Sequence, residues 1–423
     1  MSIRPLTTSR IAGMTIAAIV LFMAIAVSSV RSTIPLPVSK LTGSTMGTGY
    51  TVKYRHASDV PSVETIHAEI EQQLAEINQS MSTYDVDSEL SRFNRSDSTG
   101  WMPVSTPLYT VLAAALEIGR QSKGAFDITI GPLVNLWGFG PENRSQDIPD
   151  AEEIAATLER TGHDKLMLDE IGRAVRKTRA DVSVDLSAIA KGYAVDQIAA
   201  ILERHGIEHY MVEIGGEIRA RGVNAQQMPW RIGIDKPQTQ GHAVQRVLAL
   251  DNAALATSGN YRNYFMIGNR RYMHVIDPAT GWPVEGRLAS VTVQAETCML
   301  ADAWATALLV LGLERGLVMA EQLGLQALFI VDRGGAFTEY ATNHFESGEA
   351  QNIVVTFLAA FLIMGIAIAA MAIGVVMGRK PIAGSCGGLG QLGLGCDGGC
   401  GCGCGRPCSS SENDKSSADK SGP

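Results

Sequence analysis

The chain has 423 residues, a formal net charge of −8 at pH 7 and 18% charged residues. A chain of this length can bury a substantial core in one large domain or in two smaller ones. Nucleic acid is disfavoured as a partner, because this acidic chain carries no basic block outside its extreme ends. It has neither a P-loop nor a G-x-G-x-x-G segment after a predicted strand, which disfavours the usual nicotinamide and nucleoside-triphosphate folds.

Two long uncharged runs lie near the ends of the chain. Ile11–Val30 contains no charged residue, and neither does Ala350–Gly378, which includes a continuous apolar run over Ile353–Met377. Each run is long enough to cross a hydrocarbon core of about 30 Å. The sequence therefore predicts two transmembrane helices, with residues 1–32 forming an anchor or a signal peptide and residues 350–378 forming a second span.

Basic residues beside the two runs predict their orientation. Arg4 and Arg10 precede the first run, and the pair Arg379-Lys380 follows the second. Positive charges flanking a span stay in the cytoplasm, so both termini are predicted to be cytoplasmic and the middle of the chain to lie outside the cytoplasm. The small residues Ala26-Val27-Ser28 leave cleavage of the first run as a signal peptide open.

The seven cysteines are unevenly distributed. Cys298 alone lies in the large middle segment, and the others crowd into the tail, at Cys386, Cys396, Cys400, Cys402, Cys404 and Cys408. On a reducing cytoplasmic side such a cluster favours metal binding over disulfide formation. The polar end of the chain, residues 409–423, is predicted to be disordered.

Helices and strands are predicted to intermix along the middle segment. The helical patterns cover, in chain order, Val63–Met81, Leu108–Ile118, Glu152–Leu158, a stretch opening at Asp185 and running to about Arg204, one ending at Leu311 and one near Glu314–Leu323. The strand patterns cover Tyr210–Gly222, which a Gly-Gly pair interrupts, then Trp230–Asp235, Val244–Leu250 and Gln326–Asp332. Because βαβ alternation is irregular, the order favours a mixed α+β domain over a doubly wound one.

Lys191 lies in the first turns of the helix predicted to open at Asp185. A cation near the positive end of a helix does not stabilise that helix. A bound anion such as a phosphate would resolve the misfit. An exposed, solvated lysine is the other interpretation, and the sequence leaves the two open.

Polar residues crowd onto short apolar elements between Ala256 and Thr306. His274 and Asp277 fall where a strand-like piece runs into a Pro/Thr/Gly turn, a common position for catalytic groups. Asp302 and Thr306 are spaced i,i+4 on a predicted helix, so their oxygens share one face and suit a hard cation such as Mg²⁺. Each has a purely structural alternative: a turn histidine, a helix-start acid and a packed threonine.

Eight motifs in register resemble the ApbE-type FAD:protein FMN transferases over about residues 41–341. They are TMGTGY, MSTYDVDSELSRFN, GAFDITIGPLVNLWGFG, DLSAIAKGYAVD, IGGE, ATSGNYRNYF, HVIDPATGWPV and ADAWATAL. The resemblance implies a two-lobed, mixed-sheet α+β domain related to the T-fold. It also implies an exported, Mg²⁺-dependent enzyme that cleaves FAD, attaches FMN through a phosphoester to a Ser or Thr hydroxyl of a target protein, and releases AMP.

The same resemblance implies roles for individual residues. The implied FAD contacts are Met46, Tyr84, Ala125, Phe126, Asp127, Asp185, Lys191 and Ile276. The implied metal ligands are Ala188, through its carbonyl oxygen, Asp302 and Thr306, and His274 is the implied catalytic base. Some relatives carry a further Asp where this chain has Ala305, which leaves one or two metal ions open. The usual lipid-anchoring cysteine of the family is missing.

The second apolar run and the tail resemble NqrM, a membrane maturation factor of the Na⁺-translocating NADH:quinone reductase. The cysteines that match its pattern are Cys386, Cys402, Cys404 and Cys408, within a cytoplasmic tail over residues 379–408. This resemblance implies iron delivery, although closely spaced thiolates suit Fe or Zn equally. Together the two resemblances imply an inner-membrane protein of bacteria with a periplasmic catalytic domain, acting on subunits of that reductase.

Two other functions fit the same residues. An FAD pyrophosphatase would use water in place of the acceptor hydroxyl and release free FMN and AMP. A flavin-binding electron carrier coupled to a metal centre in the tail would need none of His274, Asp302 and Thr306.

Overall fold

The computed structural model describes residues 37–55, 60–142, 144–238, 243–261, 263–345, 357 and 360–366. The chain divides into two units, Met1–Ala350 and Gln351–Pro423. In the second unit, described residues 357 and 360–366 are helical. The predicted anchor over residues 1–32, most of the span over residues 350–378, the tail over residues 379–408 and the polar end over residues 409–423 lie outside the described residues.

Among the described residues, one helix is long and apolar enough to cross a membrane. It covers Cys298–Gln322, with a mean hydropathy of 1.4, and 56% of its most apolar window is buried inside the domain. Its residues Ala301, Ala305 and Leu308 belong to the main hydrophobic core, so we assign it as the central helix of the first unit. The two predicted transmembrane helices lie elsewhere and stay predictions.

Helices and strands intermix in the first unit. The helices in its described part are α1 (Val63–Met81), α2 (Glu89–Arg95), α3 (Thr106–Gln121), α4 (Gly131–Leu136), α5 (Ala151–Leu158), α6 (Ala190–Arg204) and α7 (Cys298–Gln322). The strands are β1 (Val38–Thr45), β2 (Thr48–Arg55), β3 (Met102–Pro103), β4 (Leu166–Asp169), β5 (Ala174–Lys177), β6 (Tyr210–Ile214), β7 (Glu217–Arg221), β8 (Trp230–Asp235), β9 (Val244–Leu250), β10 (Ala253–Gly259), β11 (Tyr264–Ile267), β12 (Arg270–Met273), β13 (Leu288–Ala295), β14 (Gln326–Asp332) and β15 (Phe337–Ala341). The predicted mixed α+β class is therefore confirmed.

An eight-stranded sheet forms the centre of the unit, in the order β1-β2-β6-β7-β10-β13-β14-β15. Every neighbouring pair in it is antiparallel. The prediction of a sheet mixed in strand direction is therefore wrong for this sheet. The physical reason is that the short connections β1–β2, β6–β7 and β14–β15 can form only antiparallel hairpins, since a parallel pair needs a long crossover.

Successive residues along the strands of this sheet belong alternately to two different hydrophobic cores. Ala254, Ala256 and Phe329 belong to the large core, to which α1, α3, α6 and α7 also contribute. Leu255 and Leu328 belong to a second core, which the β8–β9 hairpin completes. Successive side chains of a strand point to opposite faces, so the sheet is buried on both sides.

Three local predictions can be compared with the structure. The Gly-Gly pair that interrupts the predicted strand Tyr210–Gly222 is the turn between β6 and β7, and Gly215 and Gly216 have φ values of 63° and 108°. Gly312, with φ 76° and ψ 177°, breaks α7 where two helices were predicted. The helix predicted to open at Asp185 begins instead at Ala190, because the Asp185 carboxylate accepts hydrogen bonds from Ser187 and forms a turn.

Candidate active site

A cavity of about 660 Å³ is lined by all but one of the residues that the family resemblance implies for the site in this domain. The predicted residues that line it are Tyr84, Ala125, Phe126, Asp127, Asp185, Ala188, Lys191, His274, Ile276, Asp302 and Thr306. They come from segments far apart in the sequence, which the sheet, the start of α6 and the first turns of α7 bring together.

Met46 is the exception, because it does not line the cavity. It lies in the turn between β1 and β2 with a φ of 48°, and it packs against the large core. The same hairpin touches a wall of the cavity, since the backbone N–H of Gly215 donates to the carbonyl of Gly49 at 3.2 Å, and Gly215 lines the cavity. A contact between Met46 and FAD stays a prediction.

Helices α6 and α7 meet so closely that only glycine fits at one position. A Cβ atom on Gly192 would lie 2.3 Å from the carbonyl oxygen of Cys298 and 2.8 Å from Cα of Met299. The Gly192 N–H donates to Oδ2 of Asp302 at 3.1 Å. This contact fixes the predicted metal ligand Asp302 against the residue that follows Lys191.

A partly buried carboxylate holds the start of α7 in place. Asp196 on α6 accepts hydrogen bonds from the backbone N–H groups of Cys298 and Met299, both at 2.9 Å. It also pairs with Arg219 at 2.8 Å. Carboxylates are favourable at helix N-termini because they satisfy free N–H groups and complement the helix dipole. The first turns of α7, which carry Asp302, are thereby anchored to α6.

Lys191 is enclosed by two carboxylates. Its Nζ lies 2.8 Å from Oε1 of Glu217 and 3.8 Å from Oδ1 of Asp302. Both carboxyl groups are buried, and burial raises their pKa values, that of Glu217 to about 8, although the charge of Lys191 opposes the shift. The two carboxylates in turn raise the pKa of Lys191 against the effect of its burial. An exposed, solvated Lys191 is therefore not what the structure shows.

The residues around Asp302 fit a hard divalent cation. Oε2 of Glu217 is buried without a hydrogen-bond partner among the described residues. Asp302 and Thr306 have side-chain oxygens at the cavity wall, which Ala188 also lines, and oxygen ligands of this kind would suit Mg²⁺. The described residues contain no cluster of three or more His, Cys, Asp or Glu side chains that would form a cage made of protein alone.

His274 presents one ring nitrogen to the cavity. Its Nδ1 lies 3.1 Å from the carbonyl oxygen of Asn263. Because a carbonyl only accepts, Nδ1 carries the proton and Nε2 is left as the basic atom. Burial lowers the pKa of His274, and the charge of Lys191 acts in the same direction, while the hydrogen bond to Asn263 opposes them. The neutral imidazole is therefore the prevailing form at neutral pH.

The turn after His274 is held by aromatic packing. The Trp137 indole N–H donates to the carbonyl of Gly281 at 2.8 Å, and its ring stacks on Tyr272 with centroids 5.7 Å apart. Asp277, the other predicted strand-end residue, accepts from the N–H of Ala279 at 2.9 Å and so shapes the turn. These contacts position the histidine.

Asp127 is tied into the wall of the cavity. Its carboxylate accepts from the N–H and hydroxyl of Thr129 at 2.8 and 2.6 Å and from the N–H of His163 at 2.8 Å. Burial raises the pKa of Asp127, and these hydrogen bonds oppose the shift. Tyr84, by contrast, is 71% exposed at the rim, where its ring is free to stack on a planar ligand.

Two residues of the site had no role assigned from the sequence. Glu217 ends the IGGE motif, and its contact with Lys191 is visible only in the fold. Ser258 belongs to the polar crowd after Ala256, and its hydroxyl lies 2.8 Å from that of Thr306. The available signals were the Gly-Gly turn directly before Glu217 and the density of polar residues around Ser258.

The antiparallel sheet and its cavity place the chain in a class of solved flavin transferases. The structure is similar to the flavin transferase ApbE from Vibrio cholerae, with a TM-score of 0.69 and 45% identity, covering 74% of this chain and 99% of that one. It is also similar to the flavinyl transferase ApbE of Pseudomonas stutzeri in its apo form, with a TM-score of 0.68 and 41% identity, covering 73% of this chain and 96% of that one.

The chain belongs to the ApbE family, whose model matches residues 46–329. A curated relative from Vibrio cholerae, named FAD:protein FMN transferase, is 46% identical over 306 residues, covering 72% of this chain and 91% of that protein. A relative of the same name from Escherichia coli is 41% identical over 312 residues, covering 73% and 89%. The model described as (Na⁺)-NQR maturation NqrM matches residues 375–420, which confirms the second resemblance.

Proposed function

We propose that this chain transfers FMN from FAD to a Ser or Thr hydroxyl of a target protein, with Mg²⁺, and releases AMP. One observation carries the proposal: a single cavity gathers Lys191, His274, Asp302 and Thr306. Several curated relatives that are 40–46% identical to the chain over most of their length carry the name FAD:protein FMN transferase.

The residues of the catalytic cavity have separate roles in the proposed phosphoryl transfer. Lys191 neutralises charge on the pyrophosphate of FAD, and Asp302 and Thr306 hold the cation. When bound, Mg²⁺ supplies charge neutralisation at the phosphates. Nε2 of His274 accepts the proton of the acceptor hydroxyl, whose oxygen bonds to the phosphorus of the FMN half as the bond between the two phosphates breaks. AMP leaves with the bridging oxygen.

The acceptors and the tail form the second part of the proposal. The match of the NqrM model to residues 375–420 supports subunits of the Na⁺-translocating NADH:quinone reductase as flavin acceptors. In this arrangement the catalytic domain is periplasmic, both termini are cytoplasmic in the bacterial inner membrane, and Cys386, Cys402, Cys404 and Cys408 bind iron for delivery. Measurement of iron in the purified full chain tests the tail: Cys402→Ser should lower the bound iron, whereas Cys298→Ser should not.

The transferase is tested on the full chain in detergent, incubated with FAD, Mg²⁺ and an acceptor peptide containing one Thr. The expected result is a covalent FMN mass increment on that Thr and one AMP per increment. A peptide with Val in place of the Thr is the matched control. AMP released equally with both peptides, with no mass increment, would identify a pyrophosphatase and refute the transferase.

Asp302→Ala separates the enzyme from an electron carrier. The enzyme loses turnover in this variant, because the cation loses its carboxylate ligand. A carrier would keep both its bound flavin and the reduction potential of that flavin. Tight, uncleaved FAD with a reversible redox signal in both the wild type and the variant would contradict the transferase.

A further inference from the structure

A second cavity, of about 630 Å³, is basic in an otherwise acidic chain. Four cationic side chains line it, together with the carboxylate of Asp332: Lys236, Arg271, Arg287 and Arg333. Four cations against one carboxylate give it a local charge of +3, whereas the whole chain carries −8. Clustered charge of one sign around a concave surface attracts a ligand of the opposite sign.

The cations of this basic cavity remain available to an anionic ligand. Arg271 lies 4.3 Å from the ring centroid of Tyr264, and Lys236 lies 5.3 Å from that of Phe337. Nη2 of Arg333 donates to the Tyr340 hydroxyl at 2.7 Å. These partners are neutral and orient the side chains without neutralising them. Arg271, Arg287 and Arg333 are all exposed.

The basic cavity adjoins the catalytic cavity. Tyr261 lines both of them, and the consecutive residues Met273 and His274 line the second and the first respectively. Asn260, which lines the second cavity, is 3% exposed, and its Oδ1 is buried without a hydrogen-bond partner among the described residues. A buried acceptor of this kind is stabilised by a donor such as a backbone N–H.

Exposed glycine backbone forms part of the lining of the basic cavity. Gly286, Gly334 and Gly335 line it, with φ values of 128°, 78° and 93°. A Cβ atom on any of the three would meet no other atom within 4 Å. The surface here is backbone with vacant space above it, which suits the close approach of an extended chain.

We propose that the basic cavity docks an acidic, extended segment of the acceptor protein, next to the hydroxyl that receives the flavin; this inference rests on the proposed transferase function. The hydroxyl must reach His274, and a polypeptide that leaves the catalytic cavity on the side of Tyr261 enters the basic cavity. An extended chain advances about 3.3 Å per residue, so carboxylates two to four residues away reach roughly 7 to 13 Å further. The three exposed arginines and Lys236 meet them there. An anionic lipid headgroup shares the charge but gains nothing from adjoining the catalytic cavity.

The test measures binding first, because binding does not depend on catalysis. Two fluorescently labelled peptides carry the same single Thr, flanked by Asp and Glu in one and by Asn and Gln in the other. Fluorescence anisotropy with the full chain in detergent should show tighter binding of the acidic peptide, and the difference should shrink as salt rises from about 0.05 to about 0.5 M. Arg287→Gln should reduce the preference for the acidic peptide about three- to tenfold. Arg315 is an exposed arginine on α7 that lines neither cavity, so Arg315→Gln should leave this preference unchanged.

Flavin transfer is the second readout. The ratio of kcat/KM for the acidic peptide to that for the neutral peptide should fall in Arg287→Gln through a higher KM for the acidic peptide. Equal binding of the two peptides, or equal effects of Arg287→Gln and Arg315→Gln, would overturn the docking proposal, even if the neutral peptide is flavinylated. Failure of the proposed function gives a different pattern: peptide binding with no flavin transfer to either peptide. Arg287-dependent binding of vesicles of anionic lipid, with no peptide preference, would assign the basic cavity to a membrane surface instead.

Discussion

Replacing Gly192 by Ala tests whether the close contact between α6 and α7 sets the geometry of the active site. The added Cβ would lie 2.3 Å from the Cys298 carbonyl oxygen, 2.7 Å from its carbon and 2.8 Å from Cα of Met299. These are backbone atoms, which cannot rotate away. The two helices must therefore separate by about 1 Å to restore an ordinary van der Waals contact.

Two opposing contributions set the loss of stability. Overpacking of this kind costs about 1–3 kcal/mol, whereas Ala in place of Gly inside a helix returns about 1 kcal/mol. The net loss of stability is therefore at most about 2 kcal/mol. Catalysis should suffer more, because Lys191 precedes Gly192 and Asp302 accepts its N–H at 3.1 Å. A displacement of 1 Å between groups that act on one substrate can lower kcat about 10²-fold.

The assay compares Gly192→Ala with Gly316→Ala, both measured for flavin transfer and thermal unfolding. Gly316 is a second crowded helix glycine, where a Cβ would lie 2.9 Å from the Leu308 carbonyl oxygen and 3.0 Å from Phe329, but it does not line the catalytic cavity. Both variants should lose a little stability, and only Gly192→Ala should lose most of its kcat. An unchanged kcat in Gly192→Ala, or equal losses in both variants, would refute the reasoning.

Three further predictions concern charge in the catalytic cavity. Asp302→Asn should weaken the apparent Mg²⁺ affinity about 10- to 100-fold in a Mg²⁺ titration of flavin transfer; an unchanged titration would exclude it as a ligand. Because the pKa of His274 is lowered, the acid limb of kcat/KM should fall below about pH 6.5 and disappear in His274→Gln; a limb that persists there belongs to another group. Glu217, with its pKa raised to about 8, binds more protons folded than unfolded, so in EDTA the stability should decline as pH rises from about 4.5 to about 8. Glu217→Gln should flatten that decline, and an equal slope in both proteins would contradict the assignment.

The local signals in the sequence were sufficient for much of the fold. The apolar period over Val63–Met81 predicts α1 with the bounds that the structure has, because its apolar residues recur at helical spacing and its N-cap Ser62 accepts from Thr65. The helix bounded by Gly312 also follows from local chemistry. The start of α6 does not, since a side-chain turn at Asp185 replaces the first helical turn. The short connections account for three hairpins, but the directions of the pairs β2–β6, β7–β10, β10–β13 and β13–β14 depend on which strands become neighbours, and local sequence patterns do not state that.

In the candidate site, too, local patterns predict some residues, whereas contacts between distant segments are not predictable from the sequence. Motifs place His274, Asp302 and Thr306 together, because each lies in a segment whose own pattern marks it. The contact between Lys191 and Glu217 joins residues of α6 and β7 that only the completed sheet brings to 2.8 Å. The sequence left Lys191 between a solvated and an anion-binding role because it contains no information about that neighbour. Glu217 went without a role for the same reason.

Under the two proposals, the opposite charges of the two cavities would let one domain bind both the pyrophosphate of FAD and an acidic acceptor segment. Six acidic side chains line the catalytic cavity, and Lys191 is the one Lys or Arg among the described residues that line it; the six are Asp127, Asp185, Glu213, Glu217, Asp235 and Asp302. Under the proposed function, a divalent cation that enters with the pyrophosphate would lower its repulsion from this acidic wall. An acidic acceptor segment would be repelled as well. The basic cavity beyond Tyr261 gives that segment a separate place, so that only the uncharged hydroxyl has to enter the acidic cavity.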